Sequence, residues 1–213
     1  MFPAEILDRL VAEELEGHFP CATIGRRIIV LEQTTSTNDA ILQVPTANSD
    51  AGLVLFAEHQ TAGRGQRGNR WEAAAGKGLW FSILLRPKIQ INDSGRLTIW
   101  AIEAISDVIR MEFSLEPAIK LPNDIQLYGR KVAGVLVEMR AQEKAPHLAV
   151  VGVGINVNQS VGDFPPELQN RAISLAMALH RSINRQQFAT AVLRHLDRTY
   201  CEQFVRADCS RGR

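Results

Sequence analysis

Gln60-Thr-Ala-Gly-Arg-Gly-Gln-Arg-Gly-Asn-Arg-Trp71 carries three glycines and three arginines in its last nine residues. It has no apolar period of its own, and ordering so glycine-rich a segment costs backbone entropy. Its surroundings decide the fold. Leu53–Ala57 before it and Leu79–Leu85 after it are apolar runs of strand length, so the segment joins two buried strands. Gly63, Gly65 and Gly68 do satisfy G-x-G-x-x-G, but the dinucleotide-binding form needs a helix directly after the glycines, so that a phosphate meets the helix N-terminus. The protein-kinase reading lacks its H-R-D and D-F-G partners, and no Walker A sequence is present. What remains is an anion-binding segment, in which glycines let backbone N–H groups approach and Arg64, Arg67 and Arg70 offer forked donors. The alternative is a solvated basic hairpin loop. Trp71 suits either a ligand platform or the core.

Working outward, residues 3–16 have helical spacing at Ile6, Leu7, Leu10, Val11 and Leu15. Ile28–Leu31 reads as a strand, and Ser36 or Thr37 can cap a helix from about Asn38 to Gln43. Leu97, Trp100, Ala101, Ala104, Ile105, Val108 and Ile109 mark one face of a long helix. Strand-like runs recur at Ala118–Leu121, Val132–Met139 and Leu148–Val157, with Arg140–His147 as a hairpin loop between the last two. Phe188, Val192, Leu193, Leu196, Tyr200 and Phe204 form a closing helix, inside a helical tail of about 167–206. Helices alternate with strands, yet two strand pairs are close enough for hairpins. The expected fold is α+β, a two-layer arrangement with a mixed, largely antiparallel sheet backed by helices, and all 213 residues form one domain.

Composition narrows function. Lys and Arg number 24 against 23 acidic residues, so any basic site is local rather than a general attraction for nucleic acid. There is no apolar run of membrane-spanning length and no signal-peptide pattern, which makes the cytoplasm the expected location. Cys21, Cys201 and Cys209 lack metal or redox spacing and read as free thiols. Neither H-E-x-x-H nor G-x-S-x-G occurs.

Three further segments point to a ligand. Ile119-Lys-Leu-Pro-Asn-Asp-Ile125 breaks a strand with a turn and leaves Lys120 at the strand end. Arg130-Lys-Val-Ala-Gly-Val-Leu-Val-Glu138 opens a strand with Lys131 at its mouth. In Val151-Gly-Val-Gly-Ile-Asn-Val-Asn158, Gly152 and Gly154 interrupt a buried strand, a mark of close ligand approach or of a bulge.

Together with Thr35-Ser-Thr-Asn38, these segments resemble the catalytic domain of the biotin protein ligases, over roughly Ile28 to Asn158. The resemblance implies that family's fold, which is similar to class II aminoacyl-tRNA synthetases. It also implies an ATP-dependent ligase, which forms biotinyl-AMP with Mg2+ entering alongside ATP, then transfers biotin to a lysine of a biotin carboxyl carrier protein. On the matching positions, Ser36, Thr37, Asn38 and Gln60 would hold the biotin head. Gly63, Arg64, Gly65 and Gln66 would close over the carboxylate, with Gly134, Gly152 and Gly154 making room. Arg64, Arg67, Trp71, Lys120, Asn123 and Asn156 would meet the nucleotide, Lys131 would contact biotin's carboxylate region or the adenylate oxygen, and Lys120, Lys131 and Arg64 would be catalytic.

This sequence departs from the family's pattern at Gln66, where many members have arginine, and at Leu121, where tryptophan is usual. It is also expected to lack both the helix-turn-helix domain that some members carry before the catalytic domain, hence no DNA binding, and the small β-barrel that commonly follows. A homodimer through a sheet edge stays open. So do two alternatives, a lipoate or octanoate ligase or transferase of the same fold and a non-catalytic biotin- or nucleotide-binding module.

Overall fold

In the computed structural model, residues 8–16, 21, 23–45, 51–142 and 146–206 are described. The strands are β1 (Ile28–Thr34), β2 (Val54–Arg64), β3 (Arg70–Ala73), β4 (Gly78–Leu85), β5 (Ala118–Lys120), β6 (Asp124–Leu127), β7 (Arg130–Arg140) and β8 (Leu148–Asn156). The helices are α1 (Ala12–Leu15), α2 (Thr37–Gln43), α3 (Gly95–Phe113), α4 (Leu175–Leu179) and α5 (Arg185–Tyr200), the last continuing as a π-turn over Cys201–Arg206.

One sheet runs in the order β1-β2-β4-β8-β7-β6-β5, with β3 paired to β2. Among these strands only β1 with β2 is parallel; every other pairing is antiparallel. The expected mixed, mostly antiparallel sheet is therefore present, with two strands, β3 and β6, that apolar runs did not reveal. Both are short and carry polar residues, so their pairing comes from neighbouring strands rather than from pattern. Residues 3–7 of the expected first helix lie outside the described residues; the rest narrows to Ala12–Leu15.

The sheet's two faces differ because side chains alternate. Phe81, Ile83 and Leu85 of β4, Val151, Val153 and Ile155 of β8 and Ala133 and Val135 of β7 all join the main core, against α3 and α5. The intervening residues Ser82, Gly134, Gly152 and Gly154 face the other way. There α2 covers part of the sheet through a smaller core of Ile41, Leu53, Leu55, Leu84 and Val150. The rest of that face stays open, and the site lies there. Of the three cysteines, Cys21 and Cys201 are free thiols, and Cys209 lies outside the described residues. No helix among the described residues is long and apolar enough to cross a membrane.

Two charged clusters fix the frame around that face. The guanidinium of Arg185 is fully buried, with Nη1 donating to Glu58 Oε2 at 2.8 Å and to the Gly78 carbonyl at 3.0 Å, and Nε meeting Asp8 Oδ2 at 3.1 Å. Replacing Arg185 by alanine should cost about 3–5 kcal/mol of stability, the usual penalty for leaving a buried charge without its partner. Urea unfolding would check this, and a loss under about 1 kcal/mol would count against it. Lys77 Nζ holds both oxygens of Asp163, at 2.6 and 2.7 Å. Burial works against ionisation of Asp163, but Lys77 and Ser160 outweigh it and hold the carboxyl below its ordinary range. That ion pair pins the turn Val161–Asp163 and so sets the buried Phe164 against the site.

Candidate active site

The glycine-arginine segment is less of a loop than its composition suggests. β2 continues through Arg64 and β3 returns from Arg70, with Gly63 paired to Trp71 and Arg64 to Arg70. Only Gly65–Asn69 forms the tip, closed by Gly65 N–H donating to the Asn69 carbonyl at 2.7 Å. Arg67 takes a left-handed φ of 57° ahead of Gly68 at 76°, a conformation that costs a non-glycine residue about 1–2 kcal/mol.

A small cavity of about 40 Å³ opens between this hairpin, the start of α2 and the glycine-lined trough on β7 and β8. Ser36, Thr37 and Asn38, all buried, form its inner end. Ser82 on β4 donates to Asn38 Oδ1 at 2.6 Å and lies 2.8 Å from Thr37 Oγ1. Gln60 Oε1 accepts from Thr37 N–H at 2.8 Å, and Asn38 Nδ2 donates to Glu138 at 2.6 Å. Such a connected polar network is rigid, and it still presents donors and acceptors to the space above it. The glycines are needed on steric grounds. A Cβ on Gly152 would stand 2.2 Å from Asn38 Oδ1, and one on Gly154 would stand 2.4 Å from the Trp71 ring. Gly152 and Gly154 sit in regular register with β4 and β7, so they mark close approach and not a bulge.

Arg64 spans the mouth, with its guanidinium 2.8 Å from Asp39 and 3.0 Å from Glu138. Both contacts are partly solvated, so each is weak enough to exchange for another anion.

A second cavity of about 430 Å³ adjoins the first. Lys120, Asp124, Gln126 and Gly129 line one side, and Phe164, Leu168, Arg171 and Ala172 another. Asn69 and Arg70 on the hairpin complete the wall. Two residues line both cavities, Trp71 and Lys131. The Lys131 ammonium rests 5.0 Å from the centre of the Trp71 ring, a cation–π contact, and 2.6 Å from Asp124 Oδ1. Trp71 Nε1–H is buried and meets no acceptor among the described residues, which leaves a donor for a ligand.

Lys131 reaches this position through an irregularity. Ile125 pairs with Ala133 but Gln126 pairs with Lys131, so Val132 is an extra residue on β7. The bulge sends Val132 into the core and turns Lys131 onto the same face as Gly134, over which its side chain lies.

Ser36, Thr37, Asn38, Gln60, Arg64, Gly65, Trp71, Asn123, Lys131, Gly134, Gly152 and Gly154 thus surround the first cavity, and Lys120 and Asn156 join Trp71 and Lys131 at the second. Gly63, Gln66 and Arg67 line neither; Gly63 backs the hairpin, where a Cβ would strike the Trp71 carbonyl at 2.6 Å. Asn123 and Asn156 spend their amides on the protein, Asn123 donating to the Val135 carbonyl at 2.8 Å and Asn156 to Ile173 at 3.2 Å. They shape the walls. Sequence reasoning passed over Ser82, Asp39, Glu138, Asp124 and Arg171. Of the two acidic residues that hold Arg64, Asp39 directly follows one quoted motif and Glu138 ends another, and nothing local distinguishes either from a solvated carboxylate.

Two adjoining cavities, divided by Trp71 and Lys131, thus lie on the open face of a mixed sheet. The chain belongs to the biotin/lipoate A/B protein ligase family, whose model matches residues 30–156. It is 33% identical over 192 residues to the bifunctional ligase/repressor BirA of Bacillus spizizenii, covering 90% of this chain and 59% of that protein. It is 35% identical over 177 residues to the biotin–[acetyl-CoA-carboxylase] ligase of Mycobacterium tuberculosis, covering 81% of this chain and 63% of that one. The chain therefore spans about three fifths of the length of these relatives. The fold matches biotin protein ligase from Aquifex aeolicus in complex with biotin and ATP, with a TM-score of 0.70 and 28% identity over 83% of this chain and 72% of that one.

Proposed function

We propose that this chain is the catalytic domain of an ATP-dependent biotin protein ligase. Biotin would occupy the smaller cavity and ATP the larger, and the carboxylate would attack the α-phosphorus where Trp71 and Lys131 divide them. The observation that carries this reading is that partition. A carboxylate and a triphosphate repel each other, and the one ammonium among the described residues that both cavities share is fixed at their junction, where it can neutralise the two together. The buried Ser36, Thr37, Asn38 and Gln60 set offers the mixed donors and acceptors that a ureido ring requires. Ligand sites are commonly about 300 Å³ or more, so Trp71 must swing off the glycine trough as biotin enters.

In the reaction a carboxylate oxygen bonds to the α-phosphorus as the bond to the bridging oxygen breaks, and diphosphate leaves. Lys120, at the exposed end of β5, would meet the phosphates and stabilise charge at the reacting carboxylate and α-phosphate. Mg2+ would arrive with ATP. Transfer then joins biotin to a lysine amine of a carboxyl carrier domain and releases AMP. The same reading assigns the whole chain to one cytoplasmic domain.

The test is single-turnover incubation with biotin, ATP and Mg2+, following diphosphate release and biotinyl-AMP, with octanoate and lipoate in parallel. Adenylate from biotin alone supports the proposal. Adenylate from octanoate or lipoate instead would move the chain to the other branch of its family, and ligand binding without diphosphate would make it a binding module.

Arg64 is expected to leave Asp39 and Glu138 for the adenylate. Arg64→Ala should then release free biotinyl-AMP about tenfold faster, in line with loss of one hydrogen bond to a charged group. Gln66→Arg, which adds a donor at the hairpin tip, should lengthen retention. An unchanged intermediate lifetime in both variants would remove the hairpin from the clamp role.

A further inference from the structure

The larger cavity is lined by four cationic side chains, Arg70, Lys120, Lys131 and Arg171, and by two carboxylates, Glu72 and Asp124. Both carboxylates are committed. Glu72 lies 3.0 Å from Arg70 Nε and Asp124 lies 2.6 Å from Lys131 Nζ. Arg70 Nη2 also donates to the Thr61 carbonyl at 3.2 Å. Two cations are left that face the cavity with no side-chain hydrogen-bond or ion-pair partner among the described residues, Lys120 and Arg171. The family resemblance singles out Lys120, but Arg171 belongs to none of the motifs.

Arg171 stands on a fixed base. Its carbonyl accepts from Lys131 N–H at 2.8 Å, and Ile173 N–H donates to the Lys131 carbonyl at 2.9 Å, so residues 171–173 add a parallel bridge beside the start of β7. Its own N–H donates to the Leu168 carbonyl at 2.9 Å. Asn156 Nδ2 donates to Ile173, and Gln159 Nε2 donates to Asn156 Oδ1 at 3.1 Å, which braces the bridge from below. The root of the Arg171 side chain is therefore held next to Lys131, while the guanidinium stays solvated. An exposed arginine on a rigid base, on the wall of a cavity whose carboxylates are already used, suits a multiply charged ligand that supplies its own oxygens in pairs.

We infer that Arg171 is a nucleotide-binding residue of this site. It takes the outer phosphates of ATP, so that Lys131 serves the reacting α-phosphate and Arg171 the diphosphate that departs. This rests on the adenylation reading above. The cations then divide the work between them. Lys131, held by Asp124 and Trp71, is positioned for chemistry, and Arg171, with no carboxylate to surrender, binds and releases the leaving group. Guanidinium geometry also matters, because a planar fork engages two oxygens at once and an ammonium does not.

Arg171→Ala and Arg171→Lys in the full chain test the inference, with inorganic tripolyphosphate as the probe of the outer-phosphate position. Arg171→Ala should raise KM for ATP and weaken competition by tripolyphosphate by about tenfold to a hundredfold, the range for losing charge-assisted hydrogen bonds. Arg171→Lys should recover part of both. Biotin binding, which uses the other cavity, should stay within about twofold of the parent. Tripolyphosphate competing equally well against parent and Arg171→Ala would overturn the inference, and so would an ATP KM that does not change. Loss of biotin binding along with ATP binding would also overturn it, since Arg171 would then be a structural residue of the bridge. Failure of the parent chain to make any adenylate would strike the adenylation reading itself. The tripolyphosphate comparison reports on Arg171 either way.

Discussion

Lys131→Ala is expected to slow biotinyl-adenylate formation by about a hundredfold to a thousandfold, the range seen when a fixed donor is removed from a site of developing charge. Among the described residues Lys131 is the only lysine that lines both cavities, so no other ammonium can neutralise the two anions together. Its removal leaves Asp124 without its 2.6 Å partner, which adds a negative charge where another anion must approach. Lys131→Met, which keeps much of the aliphatic stem over Gly134 and Trp71, should lose the same rate but hold its fold better. Rapid-quench measurement of diphosphate release reads this directly. A rate for Lys131→Met within about threefold of the parent would falsify the idea that the junction is the reaction centre.

Gly152→Ala carries the second large effect. The new methyl would stand 2.2 Å from Asn38 Oδ1, 2.9 Å from its Cγ and 3.0 Å from its Nδ2. Asn38 cannot simply step aside, because Ser82 and Glu138 hold its amide at both ends and the residue is buried. Overpacking of this kind typically costs about 1–3 kcal/mol. Here it also displaces the residues proposed to hold the biotin head. Calorimetry should show biotin binding weakened beyond detection while ATP binding persists, since Gly152 lines the first cavity and not the second. Retained biotin affinity would mean that the ligand sits elsewhere.

Much of the architecture could be read from residue order. The apolar runs at Leu53–Ala57, Leu79–Leu85, Val132–Met139 and Leu148–Val157 correspond to β2, β4, β7 and β8, because strands buried on both faces need no polar alternation. The periodic face from Leu97 to Ile109 corresponds to α3, which lies on the main core. β3 and β6 were hidden because four polar-rich residues carry too little pattern to be told from turn. The glycine-arginine segment has no period of its own, yet half of it is strand. Backbone pairing with β3 supplies the order that its own side chains do not.

The sequence by itself determined the mixed sheet and the placing of Gly152 and Gly154 inside a buried strand, since those depend on residue type and spacing alone; that these glycines answer to Asn38 and Trp71 and not to a bulge was decided by the folded sheet. Only the tertiary structure decided which charges are available. Arg64 lies between Asp39, 25 residues before it, and Glu138, 74 residues after it, and Lys131 faces the cavities because the bulge at Val132 reverses its side of the strand. Charge availability depends on distances between remote parts of the chain, and a strand's facing depends on register against its neighbours. Neither quantity exists until the sheet has closed.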